Sequence, residues 1–286
     1  MPVLIQRQQR EYTAILTESR VMFRLVKKGD LCYYTIDSFT ESSLVKHCFT
    51  TRYGGVSDGC YESMNLRLSS GDDRTKVLEN FKIICNELGV DDKKLVLSKQ
   101  VHEANIEDVT SKDFGNGIYK DNRFISADAL VTNEPGVPLV TFYADCVPVF
   151  LLDKRKKVLA LVHSGWKGTV LEISRLTVEH MIRRYNSSQE DIIAAIGPSI
   201  SECHFEVGEE VVEAFIQSGF ENRIKNNYEK PHIDIKGCVY DSLVKAGLDE
   251  NNITVSDICT YCDDDFYSHR RMGNQRGNMA AIAQLI

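Results

Sequence analysis

The side chains best suited to chemistry fall at the ends of apolar runs. His102 follows Leu95–Val101. Cys146 sits in Tyr143-Ala144-Asp145-Cys146-Val147-Pro148, between two such runs, and His163 closes Val158–Val162. Buried strands often end along one sheet edge, so these three could converge. One thiolate and two imidazoles suit zinc, and three ligands leave a position for water or substrate. The spacing, 43 residues between His102 and Cys146 and 16 between Cys146 and His163, is no compact ligand motif. Spacing alone favours a plainer reading, with the histidines as hydrogen-bonded turn residues and Cys146 as a small core residue. The same triplet also describes a nucleophilic pair. Cys146 would attack, His163 or His102 would be the base, and Asp145 or Asp128 would orient it.

The flanks add anion-binding chemistry. Gly165 and Gly168 bracket Trp166 and Lys167 in a tight turn that opens a helix, where backbone N–H groups and the helix dipole favour a phosphate. Trp166, the single tryptophan, either packs or walls a flat base. Arg52 lies beside Gly54-Gly55, and Phe266-Tyr267-Ser268-His269-Arg270-Arg271 concentrates a histidine and two arginines in an acidic chain. Arginines suit bidentate phosphate recognition, and surface ion pairing accounts for them equally well. Cys259-x-x-Cys262 has no second Cys-x-x-Cys to complete a four-thiolate site and reads as structural. His47, His180, His204 and His232 read as packing or surface residues.

These residues need a scaffold. Val21–Val26 and Leu31–Ile36, separated by Lys27-Lys28-Gly29-Asp30, predict a hairpin, and Val45–Thr51 a third strand. Asp72 or Asp73 caps a helix ending at Leu88 before Gly89. Leu95–Val101, Ala129–Thr132, Val137–Tyr143, Val147–Leu152, Val158–Val162, Ile192–Ile196 and Met279–Ile286 read as strands. Several are apolar throughout, hence buried on both faces. Helices are expected over Thr169–Tyr185, Glu209–Gln217 and Val239–Ala246, and the polar first ten residues are expected to be loosely held. Strands in runs, without strict alternation with helices, predict an α+β fold with mixed sheets in one domain over residues 1–286. No Gly-x-Gly-x-x-Gly follows the first strand, which disfavours a dinucleotide fold.

Composition narrows the function. The chain has 286 residues, 43% hydrophobic and 26% charged, enough for a real core. A net charge of −7 argues against a general nucleic-acid binder. No apolar run reaches membrane-span length, and residues 1–7 carry no secretory h-region. Nine cysteines, an odd number without framework spacing, read as free thiols in a reducing cytoplasm.

Seven segments occur in order: Phe49-Thr50-Thr51-Arg52-Tyr53-Gly54-Gly55-Val56-Ser57, Lys99-Gln100-Val101-His102, Ala127-Asp128-Ala129-Leu130-Val131-Thr132, Ala144-Asp145-Cys146-Val147-Pro148, His163-Ser164-Gly165-Trp166-Lys167-Gly168, Ile196-Gly197-Pro198-Ser199-Ile200 and Phe266-Tyr267-Ser268-His269-Arg270-Arg271. Together they resemble the laccase-domain family, once called multicopper polyphenol oxidoreductases, from about residue 45 to the C-terminus; residues 1–44 match weakly. The resemblance implies a layered α/β/β/α domain and purine nucleoside phosphorylase activity with adenosine deaminase activity. It also implies a zinc site at His102, Cys146 and His163, which reverses the reading from spacing. Near the end, many members have Gly-Arg where this chain has Gly277-Asn278.

The implied reaction takes adenosine, inosine or 5′-methylthioadenosine with inorganic phosphate. Arg52, Lys167, Arg270 or Arg271 would supply charge for phosphate. His269, Asp128 or Asp145 would serve the leaving base, and Asp145 would move protons in deamination. Seven histidines without a His-x-His pair cannot build the copper clusters of a multicopper oxidase, although a Cys/His₂ site could hold copper in place of zinc. A metal-free Cys–His hydrolase, a copper polyphenol oxidase and a non-catalytic scaffold are the alternatives. A monomer or a homodimer is expected.

Overall fold

The computed structural model describes residues 22–286. The polar first ten residues and Val21, the expected start of the first strand, lie outside the described residues. The strands, in chain order, are β1 (Phe23–Lys28), β2 (Leu31–Ile36), β3 (Val45–Thr50), β4 (Val96–Leu97), β5 (Ile106–Asp108), β6 (Ala129–Thr132) and β7 (Pro138–Tyr143). They continue as β8 (Val147–Asp153), β9 (Val158–Ser164), β10 (Ile192–Ile196), β11 (Ile224–Lys225), β12 (His232–Ile233), β13 (Ile253–Val255) and β14 (Met279–Leu285). The helices are α1 (Asp37–Ser42), α2 (Arg74–Leu88), α3 (Trp166–Val170), α4 (Ile173–Tyr185), α5 (Glu209–Gln217), α6 (Ile235–Lys245) and α7 (His269–Met272).

Two six-stranded sheets result. One runs β1-β2-β3-β14-β7-β4 and the other β13-β10-β8-β9-β6-β5, and each mixes antiparallel with parallel pairs. Alternate residues of the central strands decide the layering. Phe150 and Leu152 join Phe49, Leu139 and Ala281 in a core between the sheets. Val149 and Leu151, one position along, pack with Ile173, Val178, Val239 and Leu243 of α4 and α6. Cys48, Val140 and Ile282 pack with Val77, Phe81 and Ile84 of α2 on the far side of the first sheet. The order is therefore α/β/β/α. Burial on both faces is why these strands carry almost no polar residues.

Local chemistry explains most boundaries. Gly29, at φ 60°, makes the β1–β2 turn in which Lys28 pairs with Leu31. The Asp73 carboxylate accepts the Thr75 N–H, and left-handed Gly89 ends α2. Two expectations need correction. The helix over Thr169–Tyr185 is broken: Glu172 adopts φ 55°, which separates α3 from α4. The strand Leu95–Val101 shrinks to β4, because beyond it Gln100 substitutes for backbone pairing. Its side-chain amide donates to the Phe142 carbonyl at 2.8 Å, and its side-chain oxygen accepts the Phe142 N–H at 2.8 Å. Among the described residues no helix is long and apolar enough to cross a membrane. None of the nine cysteines forms a disulfide.

Candidate active site

Strand register brings Cys146 and His163 together. In the β8–β9 pair Val147 faces Ser164 and Pro148 faces His163, so Cys146 leaves β8 beside the end of β9. His102 arrives from the loop after β4. Asp128, immediately before β6, is the post that fixes both histidines. Its carboxylate accepts the backbone N–H groups of Val101, His102 and Glu103 at 3.0–3.1 Å, so the loop wraps around it. It also accepts His163 Nδ1–H at 2.8 Å. That bond leaves Nε2 as the free nitrogen of His163.

The donor atoms of His102, Cys146 and His163 all lie within 4.8 Å of one another. Cys146 Sγ is 3.8 Å from His102 Nε2, and the two imidazole rings meet edge to face with centroids 4.8 Å apart. Two non-glycine residues, His102 at φ 64° and Asp145 at φ 88°, hold left-handed backbone here. Such strain persists only where surrounding contacts impose it, and it gathers at functional sites. Gly165 permits the approach: a Cβ there would lie 2.9 Å from His102 Cδ2 and 3.2 Å from Cys146 Sγ.

The electrostatics are those of a metal-ready cluster. Burial works against charge on Cys146, but the adjacent imidazoles of His163 and His102 pull its thiol down to about 6. Burial likewise opposes charge on His163, which the Cys146 thiolate and Asp128 carry up to about 9. Burial would raise the Asp128 carboxyl, yet His163 and the surrounding N–H groups hold it below the usual carboxylate range.

His102 and Cys146 open onto a cavity of about 310 Å³, whose other walls are Ala144, Asp145, Trp166, Ile200, Phe205, Ile235, His269 and Arg270. Of the expected anion binders, only Arg270 is on this wall, where its guanidinium donates to the carbonyls of His204 and Glu206. The Arg52 guanidinium donates to the Glu62 carbonyl and lies over the Tyr267 ring. Arg271 donates to the carbonyls of Thr260, Tyr261, Asp263 and Phe266. These two guanidinium groups hold backbone in place. Lys167 is exposed, with its ammonium 5.5 Å from the centre of the Trp166 ring.

Asp145 borders the cavity, but its carboxylate accepts Thr260 Oγ1–H at 2.7 Å, Ser268 Oγ–H at 3.0 Å and the Arg270 N–H at 2.7 Å. Asp145 ties the loop around Arg270 to the Cys146 strand end.

The sequence reading assigned no role to two arginines, Arg67 and Arg276, the second of which stands just before Gly277-Asn278. Burial pushes the guanidinium groups of Arg67 and Arg276 down, and the charge on Cys146 reaches both and acts in the opposite sense. Arg276 also feels Asp145, and its buried Nε has no hydrogen-bond partner among the described residues. Each stands in a polar loop with nothing local to mark it. A buried guanidinium Nε without a hydrogen-bond partner among the described residues, as at Arg276, is the usable signal, and only tertiary structure supplies it.

This combination of fold and site has known relatives. The family model described as "Multi-copper polyphenol oxidoreductase laccase" matches residues 46–286, and the chain belongs to that family. It is similar to a purine nucleoside phosphorylase of Bacteroides thetaiotaomicron, 37% identical over 85% of this chain and 92% of the relative. It is also similar to adenosine deaminase RL5 from an unknown prokaryotic organism, 36% identical over 84% of this chain and 94% of the relative. Among solved structures, the hypothetical protein YfiH of Bacillus licheniformis superposes with a TM-score of 0.86. It is 31% identical and covers 93% of this chain and all of that one.

Proposed function

We propose that the chain is a zinc-dependent purine nucleoside phosphorylase with a secondary adenosine deaminase activity. The observation that carries this reading is the meeting of His102, Cys146 and His163 at one open cavity. The names of its relatives support the same choice. The donor set fits zinc: one thiol already held toward thiolate, and two imidazoles, one with its tautomer set by a carboxylate. Among the described residues three protein donors meet there, the pattern of a catalytic site rather than a structural one. When bound, zinc would act as a Lewis acid and lower the pKa of water.

The chain's own residues account for the rest. Trp166 and Phe205 offer aromatic faces to a purine, and Ile200 and Ile235 exclude water around it. Arg67 and Arg276, both within electrostatic reach of Cys146, supply charge for phosphate, and an anion would give the Nε of Arg276 the partner it lacks among the described residues. In phosphorolysis a phosphate oxygen bonds to C1′ while the C1′–N9 bond breaks. Its electron pair passes to the base, which then takes up a proton. His269 is the cavity-facing group able to give that proton when it is the imidazolium: its Nδ1–H is held by the Gly273 carbonyl, the Nε2 proton passes to the base, and the neutral ring is left behind. Asp128 acts by positioning both histidines. Asp145 acts by positioning the segment that carries His269 and Arg270.

Adenosine incubated with and without phosphate tests the reading. Adenine and ribose 1-phosphate should form only with phosphate, and inosine should form without it. No product from any purine nucleoside with zinc-loaded protein would refute it. The low-lying Cys146 thiol beside His163 favours one other reading, a metal-free cysteine hydrolase. That enzyme would survive chelation and die on alkylation, whereas the phosphorylase would lose activity to chelators.

A further inference from the structure

A second cluster of side chains able to bind a metal lies in two loops, one of which carries the cavity-lining residues Ile200 and Phe205. Cys203 and His204 sit in the loop after β10, and Cys259 and Cys262 in the loop after β13. Cys203 and Cys259 are 56 positions apart in sequence, yet their sulfurs are 3.7 Å apart. Cys203 Sγ is 3.6 Å from Cys262 Sγ, and His204 Nδ1 is 3.2 Å from both Cys203 Sγ and Cys262 Sγ. All four donor atoms lie within 4.8 Å of one another. A tetrahedral zinc with bonds of about 2.3 Å to sulfur and about 2.0 Å to nitrogen has S–S edges of about 3.8 Å and S–N edges of about 3.5 Å. The four edges that meet at Cys203 or join His204 to Cys262 are within a few tenths of an ångström of these.

The surroundings are built for thiolate. The Ser201 N–H donates to Cys259 Sγ at 3.4 Å, and the N–H groups of Tyr261 and Cys262 are directed at the same sulfur. That is how a Cys-x-x-Cys turn neutralises its first ligand, with backbone dipoles in the second shell. The His204 ring is stacked on Tyr261 with centroids 3.9 Å apart, which fixes its orientation. Lys236 is buried, donates to the carbonyls of Ser256 and Ile258, and places its ammonium within electrostatic reach of Cys259 and Cys203. Zinc with three thiolates and a neutral imidazole carries one net negative charge, which a buried ammonium balances. A Ser199–Cys259 backbone bridge and the Thr260 N–H to Ser199 carbonyl bond at 3.1 Å hold the two loops in register.

We propose that Cys203, His204, Cys259 and Cys262 form a second zinc site, closed by four protein ligands and structural in role, that clasps the loop after β10 to the loop after β13. Three thiols give up their protons on binding, and no redox step is involved. The clasp joins the segments that wall the cavity. One loop carries Ile200 and Phe205, and the other carries Thr260, which holds Asp145, and continues to His269 and Arg270. Arg270 already bridges them by donating to the carbonyls of His204 and Glu206.

The test is a metal count on the full chain purified under reducing conditions. Two zinc ions per chain are expected, falling to one in Cys262→Ser and to one in Cys146→Ala. Protein grown with cobalt in place of zinc provides a readout that does not depend on a variant folding. The thiolate-to-cobalt absorption of the unsubstituted chain should be about four times that of a single-thiolate site, three parts from the clasp and one from Cys146. The three-thiolate part should persist in Cys146→Ala and collapse in Cys262→Ser. One zinc per chain, unchanged by Cys262→Ser and lost in Cys146→Ala, overturns the clasp and leaves the proposed active site standing. A Cys203–Cys259 or Cys203–Cys262 disulfide in protein kept reduced also overturns it. Two ions with the cobalt band intact in Cys146→Ala uphold it whatever the nucleoside assays show.

Discussion

Asp128→Asn should weaken the proposed active site more than any other single-atom exchange. Oδ1 of Asp128 accepts from His163 Nδ1 and the His102 N–H, and Oδ2 accepts from the N–H groups of Val101 and Glu103. An amide replaces one of these oxygens with an NH₂ that faces two donors. The less costly orientation turns the NH₂ toward exposed Val101 and Glu103, where water can reach the orphaned groups. Two hydrogen bonds to a charged acceptor are still lost, at about 1.5–3 kcal/mol each before solvent compensates. The fold should therefore lose about 3 kcal/mol. The histidines lose the charge that orients them, so zinc affinity should fall about 10- to 100-fold, the usual cost of removing a second-shell partner. Urea unfolding in the presence of a chelator gives the first number, and competition with a chromophoric chelator gives the second. An Asn variant within 0.5 kcal/mol of the parent, and within about twofold in zinc affinity, would refute Asp128 as the organiser of this site.

Gly165→Ala places a methyl 2.9 Å from His102 Cδ2 at a backbone angle of φ −75°, which alanine adopts freely. It should cost at least about tenfold in zinc affinity by displacing His102, with the melting temperature nearly unchanged; parent-like affinity by chelator competition would count against the close packing described. Arg276→Met should raise KM for phosphate at least about tenfold, by loss of a charged hydrogen-bonding partner, and leave KM for the nucleoside nearly unchanged in initial-rate assays; the reverse pattern would assign Arg276 to the base or sugar. Buried His47, whose Nε2 accepts the Ile36 N–H at 2.8 Å, is pushed down to about 4 by burial. Above pH 6.5 it is neutral in both folded and unfolded chains; between about 6.5 and 4 the unfolded chain takes the proton first, so about 3 kcal/mol of stability is lost across that window. His47→Gln should flatten that part of the urea-midpoint profile, and an unchanged slope would show that other groups govern it.

The layers were legible because strands buried on both faces write themselves as unbroken apolar runs. Ala129–Thr132, Val147–Leu152 and Ile192–Ile196 all appear as β-strands close to their expected bounds. The strand expected over Leu95–Val101 failed because its periodicity says nothing of Gln100 bonding sideways to Phe142. The helix expected over Thr169–Tyr185 failed at Glu172, a good helix former forced left-handed at the junction of two helices. The three donors of the proposed active site were legible as residues at strand ends, and the structure brings them together. Asp128 was noticed as a candidate, but its role as a hub for three backbone N–H groups depends on a loop path that no local pattern encodes. Cys259-x-x-Cys262 was visible, but its partners Cys203 and His204 were not, since a ligand set split between two loops has no spacing rule.

What the sequence determines by itself is local: which segments are strands or helices, where caps and turns fall, and which side chains can ligate or titrate. Those properties follow from backbone sterics and apolar periodicity over a few residues. Tertiary structure decides everything that depends on distance between remote segments. It sets Cys146 beside His163 through the β8–β9 register, takes Arg52 and Arg271 into backbone support, leaves the Nε of Arg276 without a hydrogen-bond partner among the described residues, and gathers three thiols around His204. Each of these is fixed by how two sheets and their connecting loops pack, a sum of many weak contacts that no single stretch of chain contains.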